Sequence, residues 1–319
     1  MTLISDDISK AIELLNNDDV VAIPTETVYG LAGNIYSEKA IGKIFEVKKR
    51  PLFNPLIVHI HSLDQLDEIV SDFPAKAQKL AEAFWPGSLT LILEKKPNIP
   101  DIITAGKNTV AVRIPNHPVT LNLLKKLSFP LAAPSANPFN RISPTAAVHV
   151  ARYFNDSIPM ILEGGSCKNG LESTIIGFEN EQPVLYRLGS LALEDIEAVI
   201  GKVKIKNTNE TTPTAPGMLS KHYAPITPTY LVDDVKIFIK DFKDKKIGII
   251  RFKDDMTISG FQYLQILSPS GNLKEAAAKL YNALHTLDNL ELDMIVAEKF
   301  PEVGLGRSIN DRLTRATKK

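Results

Sequence analysis

VVAIPTETVYGLAGN, residues 20–34, is the stretch on which the fold turns. Val20 to Ile23 form a short apolar run closed by Pro24, the pattern of a buried strand. Directly after it, Thr25, Glu26, Thr27 and Tyr29 crowd hydroxyls and a carboxylate together. Polar groups gathered at the end of a strand are where open α/β sheets meet their ligands. A strand followed by a capped helical turn would be written with the same letters, so this segment alone leaves both readings open.

Working outward, helix and strand signals alternate. Upstream, Ile8, Ala11, Ile12 and Leu15 fall at helical spacing behind Ser5 and Asp6, both N-cap types. Downstream, SEKAIGKIFEVKK (37–49) reads as a helix opened by Ser37, LIVHI (56–60) as a strand, and PAKAQKLAEAFW (74–85) as a helix begun by proline. SLTLILE (88–94) and TVAVRIP (109–115) are strand candidates. PLAAPSAN, PMILEG, STIIGF and PVLYRLG, between residues 130 and 189, are short, β-rich and bounded by Gly, Pro or Asn. The order is not a clean strand–helix repeat, so residues 1–202 are expected to form an α/β domain on a mixed, twisted sheet.

Residues 203–229 break the pattern. The segment is dense in Thr, Pro, Asn and Lys and reads as a linker, yet it carries Met218, His222 and Tyr223, which a plain tether does not need. Alternation then resumes over residues 230–319 with TYLVD (beginning at Thr229), KIGIIRF, YLQILS, a long helix around NLKEAAAKLYNALHTL, DMIVAEKF and a last helix near SINDRLTRAT. This predicts a small parallel, Rossmann-like second domain.

Composition narrows the function. The chain has 319 residues, 44% apolar and 23% charged, with 37 basic residues balancing 37 acidic ones. Phosphate contacts normally demand a basic excess, so nucleic acid is not expected as the main partner. Cys167 is the single cysteine, which excludes an internal disulfide and a thiolate-built zinc site. It sits in a polar turn with no paired histidine, so a thiol nucleophile is not expected. The first residues lack a cationic leader with an apolar core, and no run approaches eighteen apolar residues; a cytoplasmic, non-membrane protein is the expectation. Neither a G-x-x-x-x-G-K-[ST] loop nor a G-x-G-x-x-G fingerprint occurs.

Other segments carry candidate chemistry. In KKRPLFNPLIVHI (48–60), Lys48 and Arg50 suit a polyphosphate, Arg50 by its planar fork, on a loop stiffened by Pro51 and Pro55. A solvated basic helix end explains them equally well. His59 reads either as a hydrogen-bonded core histidine or as a ligand contact. In PSANPFNRISPTAA (134–147), Ser135, Asn137 and Ser143 supply hydroxyl and amide groups, with Ser143 as the expected cap of a following helix. Arg187, leaving the strand PVLYRLG, and Arg113, ending TVAVRIP, each call for a partner, because a lone buried charge is costly.

Together these pieces resemble one family. PTETVYGL, KxRPxxxPL as Lys48 to Leu56, SAN with SPT, GLESTI with RLG, then SKHYAP and GLGRSINDRL are similar to the long form of the YrdC-like threonylcarbamoyl-AMP synthases, over residues 5–316. The family often has Ser-Gly where this chain has Phe139 and Asn140. The resemblance implies that L-threonine, bicarbonate (or CO₂) and ATP give threonylcarbamoyl-AMP and pyrophosphate, with Mg²⁺ on the triphosphate and no dedicated metal ligands. It places Lys48, Arg50, Asn54, Thr109, Ser135, Asn137, Ser143 and Arg187 around ATP, Lys48 and Arg50 as the catalytic cations. Thr27, His59, Arg113, Ala133 and Ser173 fall around threonine, Arg113 taking its carboxylate. It implies a linker folded over the nucleotide with Tyr223 near the phosphates, a transferase acting on tRNA that receives the product, and at most weak tRNA binding here. A hydrogenase-maturation-type carbamoyl transferase and a double-stranded RNA-binding module are the alternatives. The single cysteine and the lack of an acylphosphatase-like extension weigh against the first, zero net charge against the second.

Overall fold

The computed structural model describes residues 1–206, 222–254 and 259–318. The expected linker lies partly outside them: Met218 and Ser220 are not described, whereas His222 and Tyr223 are. Fifteen strands are formed among the described residues: β1 (Leu3–Ser5), β2 (Val21–Ile23), β3 (Gly30–Asn34), β4 (Ile57–His59), β5 (Leu89–Glu94), β6 (Thr109–Arg113), β7 (Leu131–Ala132), β8 (Met160–Leu162), β9 (Thr174–Glu179), β10 (Gln182–Arg187), β11 (Lys204–Ile205), β12 (Thr229–Val232), β13 (Ile247–Arg251), β14 (Tyr263–Ile266) and β15 (Met294–Glu298).

The first eleven make one sheet in the order β1-β8-β2-β3-β7-β4-β6-β5-β9-β10-β11. It is mixed: β2 runs antiparallel to β3 and parallel to β8, while β6 runs parallel to β4 and antiparallel to β5. Helices Glu38–Lys48, Ala75–Phe84 and Leu193–Ile200 bury Ile41, Ile44, Leu80 and Ile196 against Leu31, Val58, Leu91 and Val112. On the other side, helices Ile8–Asn16 and Pro118–Lys126 cover Val21, Ile23 and Met160 through Leu15, Leu123 and Leu124. The alternation of helical and strand periods in the sequence is therefore matched by helix layers on a central sheet. Among the described residues no helix is long and apolar enough to cross a membrane.

The second sheet, β12-β15-β13-β14, is wholly parallel. Helix Val235–Ile239 lies in one apolar cluster with Ile247 and Val296. Helices Leu273–Asp288 and Leu305–Ala316 pack in another, which also takes in Val28, Ile142 and Leu171 from the larger sheet's side. The approach is close. Gly170 has φ +69° and lies so near the helix Leu273–Asp288 that a Cβ would meet the Ala278 backbone at 2.5 Å. Only glycine serves there.

Three local expectations are corrected. Ser37 does cap its helix, accepting from the Ala40 N–H, but the first helix is capped by Asp7, because Ser5 is committed to β1. Ser143 caps nothing: the helix after it begins at Ala147 behind Ala146, without a side-chain cap. Residues 204–205 pair with β10, so the larger sheet runs past the expected boundary at 202 into the linker segment.

His149 of helix Ala147–Phe154 and His285 of helix Leu273–Asp288 stack at 4.0 Å between the two sheets' layers. His149 Nδ1 accepts the Thr145 N–H, and His285 Nε2 donates to the Ser143 carbonyl. Burial, with Arg152 nearby, pulls His149 down to about 4; burial, with His149 itself, pulls His285 down to about 3. The folded chain thus binds fewer protons here than the unfolded one, whose histidines titrate near 6.5. This contribution is complete above that value and is lost as pH falls from about 6.5 towards these lowered values. Urea midpoints measured from pH 7 to pH 4 should decline steeply in the native chain and less steeply in the His149→Asn, His285→Asn double variant.

Candidate active site

One cavity, of about 50 Å³, opens at the strand ends beside residues 24–30. Nine of the sequence-predicted residues line it: Thr27, Arg50, His59, Arg113, Ala133, Ser135, Ser173, Arg187 and Tyr223. Sheet register explains part of this convergence. β4 and β6 are parallel with His59 opposite Arg113, and Ser173, just before β9, bonds diagonally to Thr90 of β5, their hydroxyls 2.7 Å apart.

At one end stands Arg113. Its Nε donates to the Gly87 carbonyl at 3.0 Å, Nη1 to Thr27 Oγ1 at 2.9 Å and Nη2 to Glu26 Oε1 at 2.5 Å. Three of its five donors are thus occupied, so the free fork expected for a carboxylate is already half engaged. His59 Nδ1 lies 3.1 Å from the Ile57 carbonyl. A carbonyl only accepts, so Nδ1 carries the proton and Nε2 is a bare acceptor. Burial, with the Arg113 charge, pulls His59 down to about 3, so the ring is neutral at physiological pH.

The other end is cationic. Arg50 donates to the carbonyls of Asn54 and Pro55, curling the proline-stiffened loop around itself. Burial and the neighbouring Arg187 pull its guanidinium down to about 9. Lys48 does not line the cavity. Its ammonium is buried against the carbonyls of Ser135 and Asn137 and clamps the Ser-Ala-Asn loop from behind. The helix Glu38–Lys48 thus ends with Lys48 turned into the wall, on the carbonyls of the loop that presents Ser135. Asn54 is fully buried with both amide atoms unpartnered, as are Asn137 Oδ1, His222 Nδ1 and the Tyr223 hydroxyl. Buried polar groups without partners are rare and cluster where a ligand supplies the missing bond. Thr109 is at the far end of β6. It shares a face with Ala111 and Arg113 but lines a separate cavity with Tyr186 and Glu181.

The wall near Tyr223 is held by the second sheet's helices. Glu172 Oε1 accepts from Ser143 Oγ at 2.6 Å; Oε2 accepts from the Tyr281 hydroxyl at 3.0 Å and Arg312 Nε at 2.8 Å. Burial alone would raise the Glu172 carboxyl, but the charges of Arg312 and Arg187 outweigh it and hold the group below the usual range. Arg312, with no solvent exposure, also donates to the Leu188 carbonyl and places its guanidinium 4.8 Å from the Tyr223 ring centroid. Tyr223 adopts φ +62°, a strained backbone for a bulky residue. His222 packs on it at 4.0 Å.

Glu172, Tyr281 and Arg312 form a wall network that motif reading left without a role. Their letters stand inside GLESTI, the long helix and GLGRSINDRL, but nothing in a single sequence pairs positions 140 residues apart. Cys167 is buried and pushed up to about 12 by that burial, in keeping with an inert thiol. Among the described residues no group of three or more His, Cys, Asp or Glu is arranged to hold a metal ion.

A family signature described as "Telomere recombination" matches residues 13–189, and one described as "Threonylcarbamoyl-AMP synthase, C-terminal domain" matches residues 191–317. A threonylcarbamoyl-AMP synthase of Bacillus subtilis is 40% identical over 320 residues, spanning 97% of this chain and 92% of the relative. One from Pyrococcus abyssi is 40% identical, spanning 93% and 90%. The crystal structure of P. abyssi Sua5 complexed with L-threonine superposes with a TM-score of 0.92 at 39% identity, covering 99% of this chain and 98% of that one.

Tyr281→Phe removes one hydrogen bond from a buried carboxylate without touching the cavity. It should cost about 1–3 kcal/mol in chemical unfolding and leave threonine affinity, read by calorimetry, at its native value.

Proposed function

This chain belongs to the threonylcarbamoyl-AMP synthase family, and on that premise we propose that it joins L-threonine, bicarbonate and ATP into threonylcarbamoyl-AMP with release of pyrophosphate. One observation carries the placement of the substrates. The cavity has one end lined by Arg50, Arg187 and the unpartnered Tyr223 hydroxyl, and a charge-balanced end with a neutral histidine. The first suits a triphosphate and the second a zwitterionic amino acid.

Threonine would lie against Thr27, His59, Arg113, Ala133 and Ser173, its carboxylate on the remaining Arg113 N–H groups. The bare His59 Nε2 would accept a hydrogen bond from the amino acid. The threonine amine attacks the bicarbonate carbon and water leaves; a carbamate oxygen then attacks the α-phosphorus and pyrophosphate leaves. Both nucleophiles come from substrates, so the protein's part is to orient the reactants and offset phosphate charge. Arg50 and Arg187 would face the phosphates with Asn54, Asn137 and Tyr223, while Lys48 and Ser143 fix the loops that present Ser135 and Glu172. A nucleotide extended along β6 would bring its base towards Thr109. Glu172 has both oxygens committed, which supports Mg²⁺ arriving on ATP rather than on protein carboxylates.

His222 and Tyr223 line the same cavity. At about 50 Å³ the cavity is small for both substrates, which supports reading this pair as part of a lid that moves to admit them. Closure protects the product, a mixed anhydride, from water. The product would pass to a transferase that modifies tRNA, with little direct tRNA contact by this chain. Protein incubated with ATP, threonine and labelled bicarbonate should yield a labelled adenylate. Valine should replace threonine poorly, because a site that hydrogen-bonds a hydroxyl rejects its isostere. Equal turnover with valine, or pyrophosphate release without bicarbonate, contradicts the reading.

A further inference from the structure

The cations around the cavity differ in what they face. Lys48 and Arg50 donate to backbone carbonyls, which carry no charge to balance a cation. Arg113 instead meets a carboxylate, Glu26, at 2.5 Å, with both side chains nearly excluded from solvent. Glu26 cannot swing away. Its Oε1 also accepts from Ser88 Oγ at 3.2 Å and its Oε2 from the Asn116 N–H at 3.0 Å, while its own carbonyl accepts from Asn169 N at 2.7 Å. Burial would raise the Glu26 carboxyl, but the Arg113 charge and these hydrogen bonds hold it below the usual range, so it is ionised.

A free arginine fork takes phosphate as readily as carboxylate. In a cavity that must accept a triphosphate at one end, a free fork at the other would be a second phosphate site. An ionised carboxylate fixed beside that fork repels a dianion, yet tolerates a zwitterion, which brings a positive group with its carboxylate. We propose that Glu26 is a specificity-determining residue of the amino-acid end: paired with Arg113, it excludes phosphate there and so fixes which way round the nucleotide and the amino acid load. Glu26 acts through Arg113, as a positioning and charge-setting residue rather than a catalytic one. The inference rests on the reaction proposed above.

The test uses the full-length chain, following pyrophosphate release against threonine at saturating ATP, with and without inorganic phosphate, and against ATP at saturating threonine. Glu26→Gln keeps the shape and removes the charge. It should raise the threonine KM by about tenfold or more, leave the ATP KM within about twofold, and make inorganic phosphate a competitive inhibitor against threonine, which it is not in the native chain. Glu26→Asp keeps the charge but draws it back from Arg113, and should show the same inhibition more weakly. Phosphate insensitivity in Glu26→Gln, or parallel rises in both KM values, overturns the proposal. Should Glu26→Gln fail to fold by circular dichroism, Glu26→Asp decides: a raised threonine KM with no phosphate inhibition overturns it. A native chain with no threonine- and bicarbonate-dependent release would instead sink the proposed reaction, a separate result read in the same assay.

Discussion

The ion pair between Arg312 and Glu172 is the contact on which the active-site wall depends. Both groups are buried, and removing two charges from water costs several kcal/mol each before they meet. Such a pair is retained without penalty only when every remaining donor and acceptor is used. Here Ser143 and Tyr281 complete the carboxylate, and the Asp311 carboxylate, the Leu188 carbonyl and the Tyr223 ring complete the guanidinium. The pair therefore fixes four segments at once: the loop after the Ser-Ala-Asn motif, the GLESTI turn, the residue after β10 and Tyr223 of the linker segment. Gly189, where a Cβ would lie 2.4 Å from the Glu172 carbonyl oxygen, shows how tightly they are drawn together. The smaller sheet's helices are thus part of the site, which is why they dock against the larger sheet's loops.

From that wall the cavity acquires its polarity. Glu172 satisfies Arg312 and leaves Arg50 and Lys48 with carbonyl partners only, while Glu26 satisfies Arg113 at the opposite end. On the proposed reading, a polyanion and a zwitterion would then be sorted by charge before any shape is read. Tyr223, in a left-handed backbone conformation and stacked on Arg312, is the point where strain and wall meet. Residues held in such conformations persist because their surroundings over-determine them.

Much of this was legible in the sequence. Short apolar runs marked β2, β4, β6 and β8 because β-branched residues between Pro and Gly have few other uses, and Ser37 announced its helix by capping chemistry. Most of the polar residues drawn from the motifs do meet at one cavity. What was not legible is direction and pairing. Lys48 ends a helix, and letters alone do not say whether its stem turns out to phosphate or inward to carbonyls. Ser143 stands before a Pro-Thr-Ala-Ala that suits a cap, yet a carboxylate 29 residues away claims its hydroxyl. Arg113 calls for a partner in the sequence, but Glu26 cannot be named as that partner without the sheet order that runs from β2 to β6. Each miss is a long-range contact overriding a local preference.

The central claim is that the smaller domain builds the nucleotide wall through Arg312 and Glu172. The most direct test is a double-mutant cycle in the full chain, with ATP affinity measured calorimetrically for Arg312→Met, Glu172→Gln and both together. Coupled losses are expected: each single variant should bind ATP about tenfold or more weakly, and the double variant little worse than either, with threonine affinity preserved. Native ATP affinity in the single variants, or losses that simply add, would show that the pair only fastens two domains together and does not shape the site.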